Sequence, residues 1–347
     1  PAYEPSGSGE HLYLWIEKRG IPTEAVCAAL QRALAVPAAA IGHAGRKDAR
    51  AVARQWLSVH TAADPAPGAL EGAGFRVLAA SRHGNKLRPG HLRGNRFAVA
   101  VRDARRAPGA DALLACLAAE GFPSYFGPQR LGEGLGNALD GRALLHGASG
   151  ASGAPGARKA RGGLERQRFA VNAYQAALFN ALVERRLLTL GSLAPLLAGD
   201  LAVLHRNGAA FAVPAGELAA LQARAAAREL SASAPLFGTR VPLAAGASGG
   251  WERDLLEREG LDAESFRLGG KRLSPKGERR AVRAFAEGLR WAWSTEAGET
   301  VLRLEFALPP GVFATALLRE LMKNDDLAPL EAPLRSGPLP PTARAGP

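Results

Sequence analysis

The hydrophobic pattern of the first hundred residues predicts four strands and one helix. In residues 11–18 (HLYLWIEK), Leu12, Leu14 and Ile16 alternate with other side chains, which is typical of a strand with one buried face. The segment that follows Thr23 repeats apolar residues at helical spacing, so it predicts a helix that Thr23 is suited to cap. Residues 42–50 form a polar loop, and the remaining strands are predicted at 55–60, 75–80 and 96–102.

The rest of the chain mixes predicted helices with a few strands. Helices are expected at 111–120, 167–188, 216–230, 251–259, 275–288 and 312–322, and strands at 201–205, 209–213 and 300–308. The Gly- and Ala-rich stretch 147–163 resembles a linker, and the Pro-rich residues 324–347 resemble a disordered tail. The order begins β-α-β-β-β-α, which has too few helical crossovers for a doubly wound parallel sheet and indicates an α+β fold.

Composition restricts the class of protein. The chain has 347 residues, 47% hydrophobic and 22% charged, which is globular and long enough for roughly two domains. The polar start predicts no signal peptide, and the absence of a run of about 18 apolar residues predicts no membrane span. Two cysteines, Cys27 and Cys116, are too few for a disulfide framework or a zinc site and fit two thiols in a reducing cytoplasm.

The positive charge is concentrated in one part of the chain. The formal net charge is +12, and residues 42–110 contain thirteen basic and four acidic residues, so nine of the twelve excess charges lie there. Such a region is either an ordinary solvated face or a surface that attracts a polyanion by counterion release. Asp48, an acid flanked on both sides by basic residues of this region, favours a nucleic-acid or phosphate partner.

The common catalytic patterns are absent. The sequence contains no HExxH, CxxC, GxSxG or Walker motif, and GEGLG (132–136) does not follow a predicted strand as a dinucleotide fingerprint would. The seven histidines show no ligand spacing. We therefore expect no metal and no nicotinamide, nucleotide or other cofactor.

The segment Gly45-Arg46-Lys47-Asp48-Ala49-Arg50 is the strongest candidate for chemistry. Asp48 is surrounded in sequence by Arg46, Lys47, Arg50 and Arg54, and nearby cations keep a carboxylate ionised. A carboxylate placed where RNA phosphates bind opposes binding, so a role as nucleophile or base would explain it. A surface salt-bridge network is the alternative.

Two further segments contain residue types that recognise nucleotides. Asn95 precedes a predicted strand, where it would read a base edge or simply form a turn. The stretch 123–130 (PSYFGPQR) combines two aromatics, an amide and Arg130. Aromatics beside arginine hold unstacked bases, but a loop packed around Tyr125 and Phe126 explains the pattern equally well.

Five ordered motifs resemble the TruD family of tRNA pseudouridine synthases. They cover about residues 4–322, nearly the whole chain. The motifs are GEHL (9–12), AGRKDARAV with RQW (44–52 and 54–56), LRGNRF (92–97), YFGPQR (125–130) and LPPGVFAT with LREL (308–315 and 318–321).

This resemblance implies specific roles. Asp48 would be the catalytic aspartate with Lys47 beside it, Asn95 would contact the target uridine, and Phe313 would pack against that uridine. The same motifs make Glu10, Phe97, Gln129 and Arg130 candidates for substrate binding. The resemblance also implies a pseudouridine synthase core of a mixed, largely antiparallel sheet, formed by residues 1–163 and 285–323 and interrupted by an inserted α/β domain at 164–284.

The implied activity is conversion of a tRNA uridine, at position 13 in the bacterial enzymes, to pseudouridine without a cofactor. Asp48 would either attack C1′ of the ribose or remove a sugar proton; the sequence does not choose. We expect a cytoplasmic monomer whose partner is tRNA, with no membrane and no metal.

Two departures from the family and two other classes of protein qualify this interpretation. The family normally carries a strand upstream of Tyr3 that helps to hold the uridine. This chain begins after that strand, and its absence argues against activity of this exact chain. Arg46 replaces a less charged residue that the family often has before the Lys-Asp pair.

A non-catalytic tRNA-binding or tRNA-folding protein is the alternative class. Duplex-DNA binding is disfavoured because the basic cluster lies on predicted strands and loops.

Overall fold

The structure, a computed structural model, describes residues 3–147, 163–269 and 273–322. The chain divides into two compact units. The first contains Pro1–Arg96 and Pro309–Gly311, and the second contains Phe97–Leu308 and Val312–Pro347. Both combine antiparallel sheets with helices, so the fold is α+β as predicted. Of the predicted linker at 147–163, residues 148–162 lie outside the described residues, as does the tail at 324–347.

The first unit is a four-stranded antiparallel sheet with one long helix. Its elements are β1 (His11–Arg19), α1 (Thr23–Leu34), β2 (Ile41–His43), β3 (Val52–His60) and β4 (Phe75–His83). The strand order is β2-β3-β1-β4. β1 lies between its neighbours, with His11 opposite His60 and Arg19 opposite Val52. This register places the loop that enters β3 at the Arg19 end of β1.

One face of this sheet packs against α1 to form the core of the first unit. Leu12, Leu14 and Ile16 alternate along β1 and are fully buried with Val26 and Leu30 of α1. The period-two pattern of β1 therefore selects its buried face as predicted.

The second unit contains most of the helices. It includes β5 (Asn95–Val101, whose first two residues belong to the first unit), α2 (Ala110–Glu120), β6 (Phe122–Pro123), α3 (Pro128–Leu131), α4 (Gly136–Leu145), α5 (Leu164–Leu190), β7 (Leu201–Leu204), β8 (Ala210–Ala212), α6 (Leu218–Ala226), β9 (Leu230–Leu236), α7 (Gly246–Arg258), β10 (Glu278–Ala281), β11 (Arg283–Ala284), β12 (Glu287–Glu296), β13 (Glu299–Leu308) and α8 (Ala314–Met322). Three sheets have the orders β10-β9-β7-β8, β11-β6 and β12-β13-β5.

The second unit has two apolar cores. The larger surrounds α5, where Tyr174, Leu178 and Phe179 are fully buried, and the smaller lies between β12, β13 and the helices α2 and α8. The α2 end of the smaller core is anchored by Asp111, whose carboxylate accepts hydrogen bonds from Arg106 Nη2 (2.8 Å) and from the indoles of Trp291 and Trp293 (2.9 Å each).

One predicted helix is wrong and another is predicted too long. The helix expected at 275–288 is instead β10, β11 and the start of β12, and the helix expected at 216–230 ends at Ala226, so that Leu230 begins β9. Residues 278–284 are rich in Arg, Glu and Ala, which favour helices weakly. Tertiary contacts override that preference, because β10 pairs antiparallel with β9 and Arg283 is buried with its guanidinium donating to Ser231 Oγ and Ala225 O. The pattern also missed α4. The division of the chain at 164 and 284 stays a prediction.

Candidate active site

The Lys47-Asp48 segment lies in the loop between β2 and β3, at the Arg19 end of β1. Gly42, in the β2 strand before the loop, lies where a Cβ atom would overlap the carbonyl oxygen of Leu87, so only glycine fits. Gly90 N donates to Ala44 O (3.1 Å), which fastens the loop to the segment that leads to Asn95. The Asp48 side chain is exposed, whereas Lys47 is half-buried.

Lys47 and Asn95, two of the predicted site residues, contact each other. The Lys47 ammonium donates a hydrogen bond to Asn95 Oδ1. Since an ammonium has only donors, this contact fixes the amide so that its NH₂ group remains available to donate elsewhere. Burial lowers the pKa of Lys47, and the Asp48 carboxylate opposes that shift. The structure therefore brings Asp48, Lys47 and Asn95 together within the first unit.

The backbone of the loop is held by two buried side chains that sequence reasoning missed. The Lys18 ammonium donates to the carbonyl oxygen of Asp48 (2.5 Å), and the hydroxyl of Thr23 accepts from Lys47 N (3.0 Å). The predicted capping role of Thr23 is wrong, because Pro22 occupies the N-cap of α1 and no side chain caps it. The sequence did contain one sign that Lys18 is buried, because it continues the alternating, inward-facing positions of Leu12, Leu14 and Ile16 along β1.

The arginines expected around Asp48 bind other carboxylates. Arg46 Nε lies 2.6 Å from Glu24 Oε1, and Arg54 Nε lies 2.8 Å from Glu17 Oε2. The cations that act on Asp48 are instead Lys47 and Lys18, since the Asp48 carboxylate favours the charged form of both. Arg46 and Arg54 therefore pair with Glu24 and Glu17, and not with Asp48 as their place in the sequence suggested.

Other cations of the basic region are exposed and remain available to a polyanion. Arg50, Arg88 and Arg96 are exposed, and none of them makes an ion pair with a carboxylate in the described part of the chain. They lie on the Asp48 loop, on the neighbouring loop that precedes Asn95, and at the start of β5.

Two motifs of the second unit meet at an aromatic cluster. Phe126 and Phe313 have ring centroids 5.8 Å apart, and Tyr125 lies 4.8 Å from the Arg319 guanidinium. Tyr125 and Phe126 are both buried, so these two side chains pack the interior of the loop, which was the alternative to holding a base. Phe313 is half-buried and lies at the edge of this cluster.

The remaining predicted residues have separate positions. In α3, Gln129 is exposed, and the Arg130 guanidinium lies 5.4 Å from the Phe169 ring. Phe97 stacks on Phe306 with 5.2 Å between centroids, which gives it a packing role in β5. Glu10 is exposed before β1, 3.4 Å from His60 Nε2. About eight strand residues, roughly 26 Å, separate it from the Asp48 end of β1, so the structure does not bring Glu10 to the loop.

The described residues contain neither a cluster of metal-ligating side chains nor a helix suited to span a membrane. No group of three or more His, Cys, Asp or Glu side chains there is arranged to hold a metal ion. Within 3–147, 163–269 and 273–322, no helix has the length and apolar character needed to cross a bilayer.

The fold is shared with a solved structure of a putative pseudouridine synthase. The crystal structure of a putative tRNA pseudouridine synthase D (TruD) from Methanosarcina mazei superposes with a TM-score of 0.74, covering 94% of this chain and 90% of that one at 24% sequence identity. At this identity, the likeness concerns the fold alone.

Sequence similarity identifies the family of proteins to which the chain belongs. The model of tRNA pseudouridine synthase D (TruD) matches residues 1–151 and 164–321. The tRNA pseudouridine synthase D of Anaeromyxobacter dehalogenans (strain 2CP-C) is 43% identical over 331 residues, covering 95% of this chain and 91% of that protein. That of a Thermus thermophilus strain is 41% identical over 336 residues, covering 96% and 87%. The chain belongs to the TruD family, whose members are isomerases, and the predicted resemblance is confirmed.

Proposed function

We propose that this protein isomerises a uridine of tRNA, at position 13, to pseudouridine, with Asp48 as its catalytic carboxylate. The single observation that carries the proposal is the arrangement of Asp48 on a loop beside the Lys47 ammonium, with Asn95 hydrogen-bonded to the same ammonium. The names of the related proteins support the reaction class and the tRNA substrate.

The substrate would approach along the basic region. Exposed arginines Arg50, Arg88 and Arg96 around the Asp48 loop would contact phosphates, which provides affinity and orientation without reading sequence. In the second unit, Gln129 and Arg130 are the proposed additional tRNA contacts. The target uridine would leave its stack at a cost of a few kcal/mol before reaching Asp48.

The reaction exchanges one bond for another without net change of atoms or electrons. Asp48 either attacks C1′ or removes a sugar proton, and the N1–C1′ bond breaks. The detached uracil rotates, a C5–C1′ bond forms, C5 loses a proton and N1 gains one. In the first route the Asp48–C1′ bond breaks as the C5–C1′ bond forms, and in the second Asp48 returns the proton to the sugar. No redox step and no energy input are needed, so the proposal requires no cofactor.

Lys47, Asn95 and Phe313 have distinct proposed tasks. The Lys47 ammonium attracts the Asp48 carboxylate and steadies its position beside the substrate. The NH₂ group of Asn95, which is not engaged by Lys47, donates to a carbonyl of the uracil and keeps the detached base in place. Phe313 supplies an aromatic wall for the uridine. We propose that this takes place in the cytoplasm, with a monomer as the active form.

The substitution Asp48→Asn separates this enzyme from a non-catalytic tRNA-binding protein. It removes the carboxylate while preserving shape, so pseudouridine formation should stop and tRNA affinity should hold or rise slightly. Product would be measured as pseudouridine in a tRNA transcript, and affinity by filter binding at one fixed salt concentration. Unchanged product in Asp48→Asn would remove Asp48 from the mechanism. Tight tRNA binding without product in the parent chain would favour the non-catalytic alternative.

A further inference from the structure

The proposed reaction leaves a buried lysine at the end of β1 unexplained. Lys18 is 0% exposed, and no carboxylate among the residues the structure describes lies within ion-pair distance of its ammonium. Burying an ammonium without a paired anion is costly. The contacts of Lys18 therefore need an explanation beyond packing.

The Lys18 ammonium connects two segments through their backbones. It donates to the carbonyl oxygen of Ile21 (2.7 Å), in the turn between β1 and α1, and to that of Asp48 (2.5 Å). Burial lowers the pKa of Lys18, opposed by the charges of Asp48 and Glu24. Hydrogen bonds from a charged donor are stronger than neutral ones. Lys18 thus fastens the Asp48 loop to the buried core of the first unit.

A second buried side chain holds the preceding residue. Thr23, 1% exposed, accepts from Lys47 N (3.0 Å), and its hydroxyl is itself oriented by Gln55 Nε2 (3.1 Å). The backbone N–H of Lys47 and the backbone carbonyl of Asp48 are therefore held by side chains from α1 and β1, although the loop itself has no regular secondary structure.

We propose that Lys18 is a positioning residue that sets the location of the Asp48 carboxylate by holding its backbone carbonyl. The inference rests on the proposed role of Asp48 in the reaction. Lys18 does not touch the substrate; it acts on the reaction through the loop. Because a reacting group displaced by about 1 Å can lose about 100-fold in rate, a loop freed from Lys18 would bind tRNA and react slowly.

The test is Lys18→Met, which keeps an unbranched apolar side chain and removes the ammonium. We expect the single-turnover rate of pseudouridine formation to fall about 100-fold, with tRNA affinity unchanged. The matched control is Leu12→Ala, on the same strand and the same buried face but at its other end. It creates a cavity and lowers stability, yet it should leave the rate per folded molecule at the parent value.

A second readout does not depend on activity. Hydrogen exchange at the Lys47 amide, which is bonded to Thr23, should be faster in Lys18→Met and unchanged in Leu12→Ala under folding conditions. If Lys18→Met does not fold, Lys18→Gln, which is shorter and uncharged, is measured in the same way with the same expectations.

Three results would overturn the inference: a parent-like rate in the Lys18 variant, an equal loss of rate in Leu12→Ala, or unchanged exchange at Lys47. Failure of the proposed function is distinguishable. If Asp48→Asn stays fully active, that function is lost, while the exchange measurement still decides whether Lys18 holds the loop.

Discussion

Two adjacent arginines on α5 make one buried and one exposed ion pair, and they allow the contribution of burial to be measured. Arg186 is 3% exposed and Asp200 is 0% exposed, and the pair is bidentate, with Nη1–Oδ1 at 3.0 Å and Nη2–Oδ2 at 2.8 Å. Asp200 also accepts from Ser248 Oγ and from Leu197 N. The pair thus ties α5, α7 and the turn before β7 together.

Replacing Asp200 with Ala should be strongly destabilising. The variant leaves the Arg186 guanidinium buried without its anion, and breaking a buried pair in this way costs about 3–5 kcal/mol. For a unit of this size each kcal/mol lowers the melting temperature by roughly 2–4 °C, so the expected loss is about 6–20 °C.

The control is Asp254→Ala, which removes the partner of the neighbouring Arg185. That pair is also on α5, with Arg185 Nη2 3.0 Å from Asp254 Oδ2, but the side chains are 37% and 54% exposed. An exposed pair contributes about 0–1 kcal/mol, so the melting temperature should change by about 4 °C or less. Both variants would be followed by thermal unfolding in circular dichroism. Equal losses in the two variants would refute the reasoning that burial makes the Asp200 pair important.

Three further predictions concern the active site, RNA binding and acid stability. Lys47→Met, which removes the donor to Asn95, should slow single-turnover product formation about 10- to 100-fold, as loss of a charged hydrogen bond implies; a parent-like rate would contradict it. Arg88→Ala should reduce the slope of log affinity against log salt by about 0.7–0.9 if it contacts one phosphate, whereas Arg46→Ala, already ion-paired, should change the slope less. An arginine and two indoles lower the pKa of Asp111 to about 2 from 3.8, so its contribution to stability is complete above pH 3.8 and is lost as the pH falls toward 2. The stability difference between the parent and Asp111→Asn, measured by denaturant unfolding, should therefore shrink across that window, and a constant difference would contradict it.

The sequence predicts those parts of the fold in which local pattern and tertiary packing agree. In β1 the alternation of Leu12, Leu14 and Ile16 coincides with the face that packs on α1, so the strand was predictable. In β10 the local preference of residues 278–281 is helical, and contacts with β9, which lies over forty residues earlier in the chain, decide the structure. Single-sequence patterns contain no information about that pairing.

The candidate site shows the same limit at the level of side chains. Asp48, Lys47 and Asn95 were identifiable because they lie in recognisable motifs. The partners of the neighbouring arginines were not, since Arg46 is close to Asp48 in sequence but binds Glu24. The sequence shows Lys18 only as a lysine on the buried side of a predicted strand. Its contact with Asp48 could not be predicted, because it depends on a loop thirty residues further along the chain.

The central claim is that this chain makes pseudouridine at position 13 of tRNA through Asp48. The most direct measurement is a map of pseudouridines in tRNA from a strain that lacks the gene, complemented with either the parent chain or Asp48→Asn. We predict that the modification at position 13 disappears in the deletion, returns with the parent and stays absent with Asp48→Asn. Pseudouridine at position 13 in the deletion strain, or its return with Asp48→Asn, would contradict the account.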